Sequence, residues 1–258
     1  MEENPNPEVL ALQNLVDLEK NYYPGRLIVT GMNKDGLHLV QLYAITGRSP
    51  ETQNRRMTYL GKGEVRTEFA DPSKNTGNPE LLLYVAMSEK DGSYAVSNGK
   101  QTDDVRICGI TSSGDVNQYG LLNPRFVGNW SYEDDDNHTS RIAAFCLLPK
   151  NGKPSMEMAI LKKSPLNDDC EQFVYRFGSL VPGFGRFIST YSGENTKPLP
   201  AYSKDPLTLS LYGNIETLTQ RYWDALTSPR LVSLAVKFIN IETGESTVKI
   251  MNQYEKVG

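Results

Sequence analysis

The chain has 258 residues, 38% hydrophobic and 22% charged, enough for one large domain or two small ones whose core needs no staples. Its formal net charge of −4 argues against a nucleic-acid binder, which carries a basic surplus, but leaves room for a local basic site. No apolar run approaches the roughly 20 residues that cross a bilayer, and the acidic, proline-broken start MEENPNPEVL does not resemble a secretory signal or a transit peptide.

The first element is a helix. Asn6 suits its N-cap, Pro7 its first position and Glu8 the positive end of its dipole. Val9, Leu10, Leu12, Leu15, Val16 and Leu18 then recur at helical spacing to about Lys20. Strands follow at 27–31 and 37–45, flanking Asn33-Lys34-Asp35-Gly36, a hairpin turn with glycine where φ is positive. The same grammar returns at 81–87 and 93–96 around Glu89-Lys90-Asp91-Gly92. It appears again at 142–148 and 156–161 around Lys150-Asn151-Gly152-Lys153. A helix starts at Thr102, whose hydroxyl suits a cap for Asp103-Asp104-Val105. The stretch 163–205 is loop-rich and shows no clear element. A further helix spans 214–227 and ends before Pro229, and a last hairpin, 231–241 with 246–251, turns at Thr243-Gly244.

Strand pairs interrupted by a few helices, without regular alternation, indicate an α+β fold rather than a doubly wound sheet. The runs LLLYVAM and IAAFCLL are continuous rather than alternating, so their strands are expected to be covered on both faces, in sheets packed together or roofed by helices. No linker divides the chain. We expect one domain over 1–258, with the helix at about 7–20 and a C-terminal extension from about 166.

Residue chemistry removes several kinds of site. Cys108, Cys146 and Cys170 lack metal-finger spacing, and reduced thiols in the cytoplasm are the expected state. Asn129-Trp130-Ser131 and Asn137-His138-Thr139 match a glycosylation pattern that matters only in secreted proteins. His38 and His138 are too few for a multi-histidine metal centre and a poor basis for a serine triad; no metal and no cofactor is expected. Gly183-Phe184-Gly185-Arg186 lacks the third glycine of a dinucleotide loop and reads as a turn. Glu133-Asp134-Asp135-Asp136 lacks the alternating ligands, glycine and distal glutamate of a calcium loop. An N-terminal nucleophile mechanism needs Ser, Thr or Cys at the mature terminus, and none lies near the start.

Four polar clusters beside strands remain: PGR (24–26), GRSPETQNRR (47–56), SNGKQTD (97–103) and YEDDDNHTSR (132–141). Each alone is a turn with ordinary surface charge. In this order, as YPGR, GRS…NR, SNGKQTD and YEDDDNHTSRI, they resemble the archaeal-type IMP cyclohydrolase family and its bacterial relatives, over about residues 22–165. The family has Thr-Asn-Gly where this chain has Ser97-Asn98-Gly99. It commonly has Pro where this chain has Ser140, which bears on the loop carrying Arg141.

The resemblance implies a layered αββα sandwich like that of N-terminal nucleophile hydrolases, without their N-terminal nucleophile. It also implies ring closure of 5-formamidoimidazole-4-carboxamide ribotide to IMP and water, with a purine ribonucleotide as small-molecule partner and neither nucleic acid nor membrane. By position it makes Arg55, Tyr84 and Glu133 catalytic candidates: Arg55 for negative charge, Tyr84 for an oxyanion or proton relay, Glu133 for acid–base work. Arg26, Arg48 and Arg141 become candidates for the 5′-phosphate, whose geometry suits a guanidinium fork. Asn54, Asn98, Thr102, Asp103, Asn137 and Thr139 become candidates for base and ribose contacts. A non-catalytic purine-nucleotide binding protein on the same scaffold, or a hydrolase of another amide, stays open, as does homo-oligomerisation.

Overall fold

The computed structural model describes residues 6–74, 78–109, 115–150, 152–194, 196–226 and 230–254. Helix α1 (Pro7–Glu19) starts as its sequence indicates, with the Asn6 side chain accepting from the Glu8 N–H at 2.9 Å. Its apolar stripe is only partly used. Ala11 and Leu18 are buried, whereas Val9 and Leu12 stay more than 60% exposed, because the helix docks along one narrow seam at a sheet margin.

Thirteen strands are described. The first nine are β1 (Arg26–Met32), β2 (His38–Thr46), β3 (Arg55–Gly61), β4 (Glu64–Phe69), β5 (Val85–Lys90), β6 (Ser93–Ser97), β7 (Arg141–Leu147), β8 (Ser155–Lys163) and β9 (Cys170–Phe177). Then come β10 (Phe184–Ser189), β11 (Leu207–Ser210), β12 (Leu231–Asn240) and β13 (Ser246–Asn252). They form two antiparallel sheets, one in the order β11-β10-β1-β2-β12-β13 and the other running β3 to β9 in chain order. Residues beyond 166 therefore supply strands to both sheets.

The remaining helices are α2 (Pro50–Gln53), α3 (Pro79–Leu82), α4 (Thr102–Gly109), α5 (Pro124–Val127) and α6 (Ile215–Ala225). Helices α1 and α6 pack on the first sheet and α4 on the second, with α5 against α4; the sheets meet through β1 with β7, β2 with β6, and β3 with β12 and β13. The fold is thus α+β, a layered arrangement of two facing sheets and flanking helices. No described helix is long and apolar enough to cross a membrane.

Layering accounts for the continuous apolar run of β7. Ala143, Phe145 and Leu147 join Val105, Cys108 and Phe126 under α4 and α5, while Ile142 and Ala144 join the core between the sheets. Each large apolar side chain so buried contributes about 1.5–3 kcal/mol. Polar clips cross the inter-sheet space as well. The Asn252 amide meets both backbone groups of Met57, at 2.9 and 3.1 Å, and the fully buried Lys237 ammonium pairs with Glu89 at 2.9 Å.

The hairpins around Gly36 and Gly92 form with both glycines at positive φ, as expected. Four expectations need correction. Residues 81–87 are not one strand, since Pro79 after the Asn78 cap starts α3 and the strand begins only at Val85. The loop-rich stretch 163–205 contains β9 and β10, and Phe184 to Arg186 open β10 rather than completing a turn. The β3–β4 hairpin was not anticipated. Thr102 does start α4, but its hydroxyl donates to the Val85 and Gly99 carbonyls instead of capping. Helix α6 ends at Ala225 with Leu226 as its C-cap, ahead of Pro229 as expected; Asn151, Thr227 and Pro229 themselves lie outside the described residues.

Candidate active site

Antiparallel pairing puts the start of one strand beside the end of its neighbour. Arg26 opening β1 faces Ile45 near the end of β2, Leu27 faces Ser189 at the end of β10, and Ser97 ending β6 faces Ala143 near the start of β7. Loops far apart in sequence are thereby gathered at one end of the sandwich. They enclose a cleft of about 500 Å³ lined by Arg26, Arg48, Glu133, Asp135, Asn137 and Tyr191, among others.

Local chemistry fixes each wall. Gly25, at φ +75°, lies where a Cβ would stand 2.1 Å from Thr190 Oγ1, so only glycine lets this loop pass. Ser49 caps α2 with a reciprocal Thr52 bond, setting the turn that carries Arg48 on one side and Arg55 on the other. In the acidic loop the Asp135 carboxylate accepts from the Asn137 and Thr139 N–H groups and from the Thr139 hydroxyl at 2.6 Å, while Glu133 N–H reaches the Thr139 carbonyl. The loop is an Asx-type knot, and it aims Glu133 inward.

At the cleft floor Glu133, 1% exposed, meets Arg26 Nη2 at 3.1 Å, Asn98 Nδ2 at 3.5 Å and Arg141 Nη1 at 3.8 Å. Burial pushes the Glu133 carboxyl above the usual carboxylate range, and the two arginines pull it back. Such a group can both hold and release a proton. Burial works against the Arg26 charge too, yet Glu133 and the tyrosines nearby outweigh it and hold the guanidinium above its ordinary range.

Beneath the floor lie Arg55, Tyr43 and Tyr84. Arg55 is 1% exposed; its Nε donates to the Thr52 carbonyl at 2.9 Å and its Nη2 to the Thr46 carbonyl at 3.3 Å. Its Nη1 has no partner among the described residues, nor has Arg26 Nε. Burial lowers the Arg55 pKa. The hydroxyls of Tyr43 and Tyr84 are 2.7 Å apart, and each has the other as its sole hydrogen-bond partner among the described residues. Two phenols carry two protons but make one mutual bond, so one O–H is left over. Besides Arg141 Nε, which also lacks a partner among the described residues, the cluster therefore holds three buried donors in search of an acceptor, with guanidiniums outnumbering the single close carboxylate. Uncompensated buried donors are costly unless a ligand satisfies them, and this set suits an oxyanion.

The candidates named from sequence fall into two groups. Arg26, Arg48, Glu133 and Asn137 line the cleft, Arg55 and Tyr84 lie beneath it, and Asn98, Thr139 and Arg141 brace Glu133 and its loop. Gly99 leaves room for that brace, since a Cβ there would stand 2.6 Å from Arg141 Nη1. Asn54, Thr102 and Asp103 are not brought to the cleft. Asn54 clasps the Asp71 backbone through both amide atoms, Thr102 is buried against Ser97 and Val85, and Asp103 turns outward to Arg106. Sharing a motif does not decide which way a side chain points.

Three tyrosines escaped the sequence reading. Tyr23 stacks on Tyr191 at 5.6 Å and carries the Arg48 guanidinium on its ring at 4.7 Å; Tyr191 bonds Thr139. Tyr23 stood inside YPGR and could have been named there. Tyr191 lay in the loop-rich stretch, and Tyr43 was hidden in a continuous buried strand. A family model described as IMP cyclohydrolase-like protein matches residues 23–245. No curated protein sequence matches the chain significantly.

Proposed function

The chain belongs to the IMP cyclohydrolase-like family and is an IMP cyclohydrolase of purine biosynthesis, and we infer that the buried donor cluster receives the formyl oxygen of its substrate, 5-formamidoimidazole-4-carboxamide ribotide. The observation that carries this reading is the set of unsatisfied donors, Arg55 Nη1, Arg26 Nε and one tyrosine O–H, next to a buried carboxylate. In the ring-closing direction the carboxamide nitrogen attacks the formyl carbon, and the carbonyl π pair moves onto oxygen. Glu133 takes the proton that nitrogen sheds and passes it to the oxyanion, giving a carbinolamine. The formamido N–H then loses its proton to Glu133 as its electron pair forms the C=N bond, and that second proton goes to the hydroxyl, whose C–O bond breaks to release water.

An amide nitrogen is a weak nucleophile. Alignment of the two arms by the cleft walls is expected to supply much of the rate, about 7–11 kcal/mol for well-oriented intramolecular attack. Donors to the developing oxyanion are worth roughly 10²–10³ each. Arg48 lines the cleft with its guanidinium on the Tyr23 face, and we assign it to the 5′-phosphate. Asn137 is assigned to the ribose or base. We further propose kinship of the layered fold with N-terminal nucleophile hydrolases, and a cytoplasmic setting in keeping with three free cysteines.

The test is spectrophotometric: purified protein with the formamido ribotide, followed for IMP. Turnover is expected, with Arg55→Ala and Tyr84→Phe each losing about 10²-fold or more in kcat. Wild-type protein that binds IMP in calorimetry but forms none would make it a binding protein instead.

A further inference from the structure

At the tyrosine pair one hydroxyl donates to the other, and the surroundings of each decide which. Tyr43 sits on β2, its backbone held between Ile28 of β1 and Ala235 of β12, and it has no exposed surface. Its charged neighbours are Arg26 and Arg55, which offer only protons. Within the described residues its O–H therefore has one place to go, the Tyr84 oxygen at 2.7 Å.

The reverse orientation would leave the Tyr43 proton facing guanidinium donors without an acceptor, at the cost of a buried unsatisfied group. Tyr84 is different. Its backbone is pinned to Thr67 by N–H and carbonyl bonds, both at 2.9 Å, and the residue keeps 4% exposure. The direction of its O–H is the freedom that remains.

We propose that Tyr43 is a positioning residue, which donates its proton to Tyr84 and so turns the Tyr84 O–H toward the reacting oxygen. This rests on the ring-closure reading of the site. Burial, reinforced by Tyr84, pushes the Tyr43 phenol well above its ordinary range despite the two arginines, so it stays a donor at any working pH. With Tyr43 absent as donor, the Tyr84 O–H is free to rotate and spends part of its time pointed away from the cleft.

A kinetic double-mutant cycle tests the assignment. Tyr43→Phe is expected to lower kcat about tenfold with KM within twofold of wild type, and IMP affinity by calorimetry is expected to stay within twofold, showing that the site remains folded. In a Tyr84→Phe background the same change should cost nothing further, because Tyr43 acts through the Tyr84 hydroxyl. A role in packing alone would lower kcat by the same factor in both backgrounds, and that result overturns the proposal. So does a Tyr43→Phe enzyme with wild-type kcat, a failure that leaves the ring-closure reading standing. Absence of turnover in the wild-type protein overturns both.

Discussion

Lys237 and Glu89 make a pair whose two halves should behave unequally on mutation. The Lys237 side chain is fully buried between the sheets and donates to Glu89 at 2.9 Å and to the Gly63 carbonyl. Glu89 is 18% exposed and also accepts from Ser246 at 2.9 Å. Burial lowers the Lys237 pKa even though Glu89 opposes it, so desolvating this ammonium costs more than its partners return. Lys237→Met removes that cost, fills the same space, and leaves Glu89 its serine and some water. The expected change in unfolding free energy is within about 1 kcal/mol. Glu89→Ala strands the ammonium with one carbonyl, and breaking a buried pair in this way costs about 3–5 kcal/mol. At about 2–4 °C per kcal/mol, that lowers Tm by roughly 6–20 °C.

The sign with pH follows. A lysine whose folded pKa lies below its unfolded value binds fewer protons when folded, so stability rises with pH between the two values. The Glu89→Ala deficit should therefore shrink toward alkaline pH. Chemical denaturation of the two variants at pH 7 and 9 measures both effects. Equal losses for the two substitutions, or a Glu89→Ala deficit that grows with pH, would refute the reasoning.

Glu133→Gln keeps the volume and one acceptor facing Arg26 but cannot accept a proton. Its kcat is expected to fall about 10²–10⁴-fold. In the wild type kcat should rise with pH through a limb lying above the ordinary glutamate value of about 4.3, because burial lifts this group and its ionised form must act first. A pH–rate profile of the glutamine variant should lack that limb, and its persistence would move the base elsewhere. Thiol chemistry offers a separate check of the layers. Burial pushes Cys108 up to about 11 and Cys146 up to about 12, while Cys170 is only partly buried. A thiol reagent at pH 8 should therefore label one cysteine per native chain and three after denaturation; rapid labelling of native Cys146 would contradict the buried inter-sheet position given to it.

What could be read without a structure was local. An asparagine before a proline starts α1, Asp91-Gly92 turns a hairpin, and continuous apolar runs announce strands covered on both faces, because these signals depend on residues a few positions apart. The ordered loops naming the family were legible for the same reason. Strands such as β9, which lies at a sheet margin and has no fully buried residue, were not, since with one neighbour they need no apolar alternation. The composition of the site was also beyond local reading. Tyr43 and Tyr84 stand 41 positions apart and Arg26 and Glu133 stand 107 apart; each pair meets because the two sheets face each other. Motif membership placed Asn54 and Thr102 beside the right strands, but only packing turned them into backbone clasps. The sequence determined which loops carry polar groups; the tertiary structure decided which of those groups share one buried, donor-rich space, because burial and orientation are properties of neighbours distant in the chain.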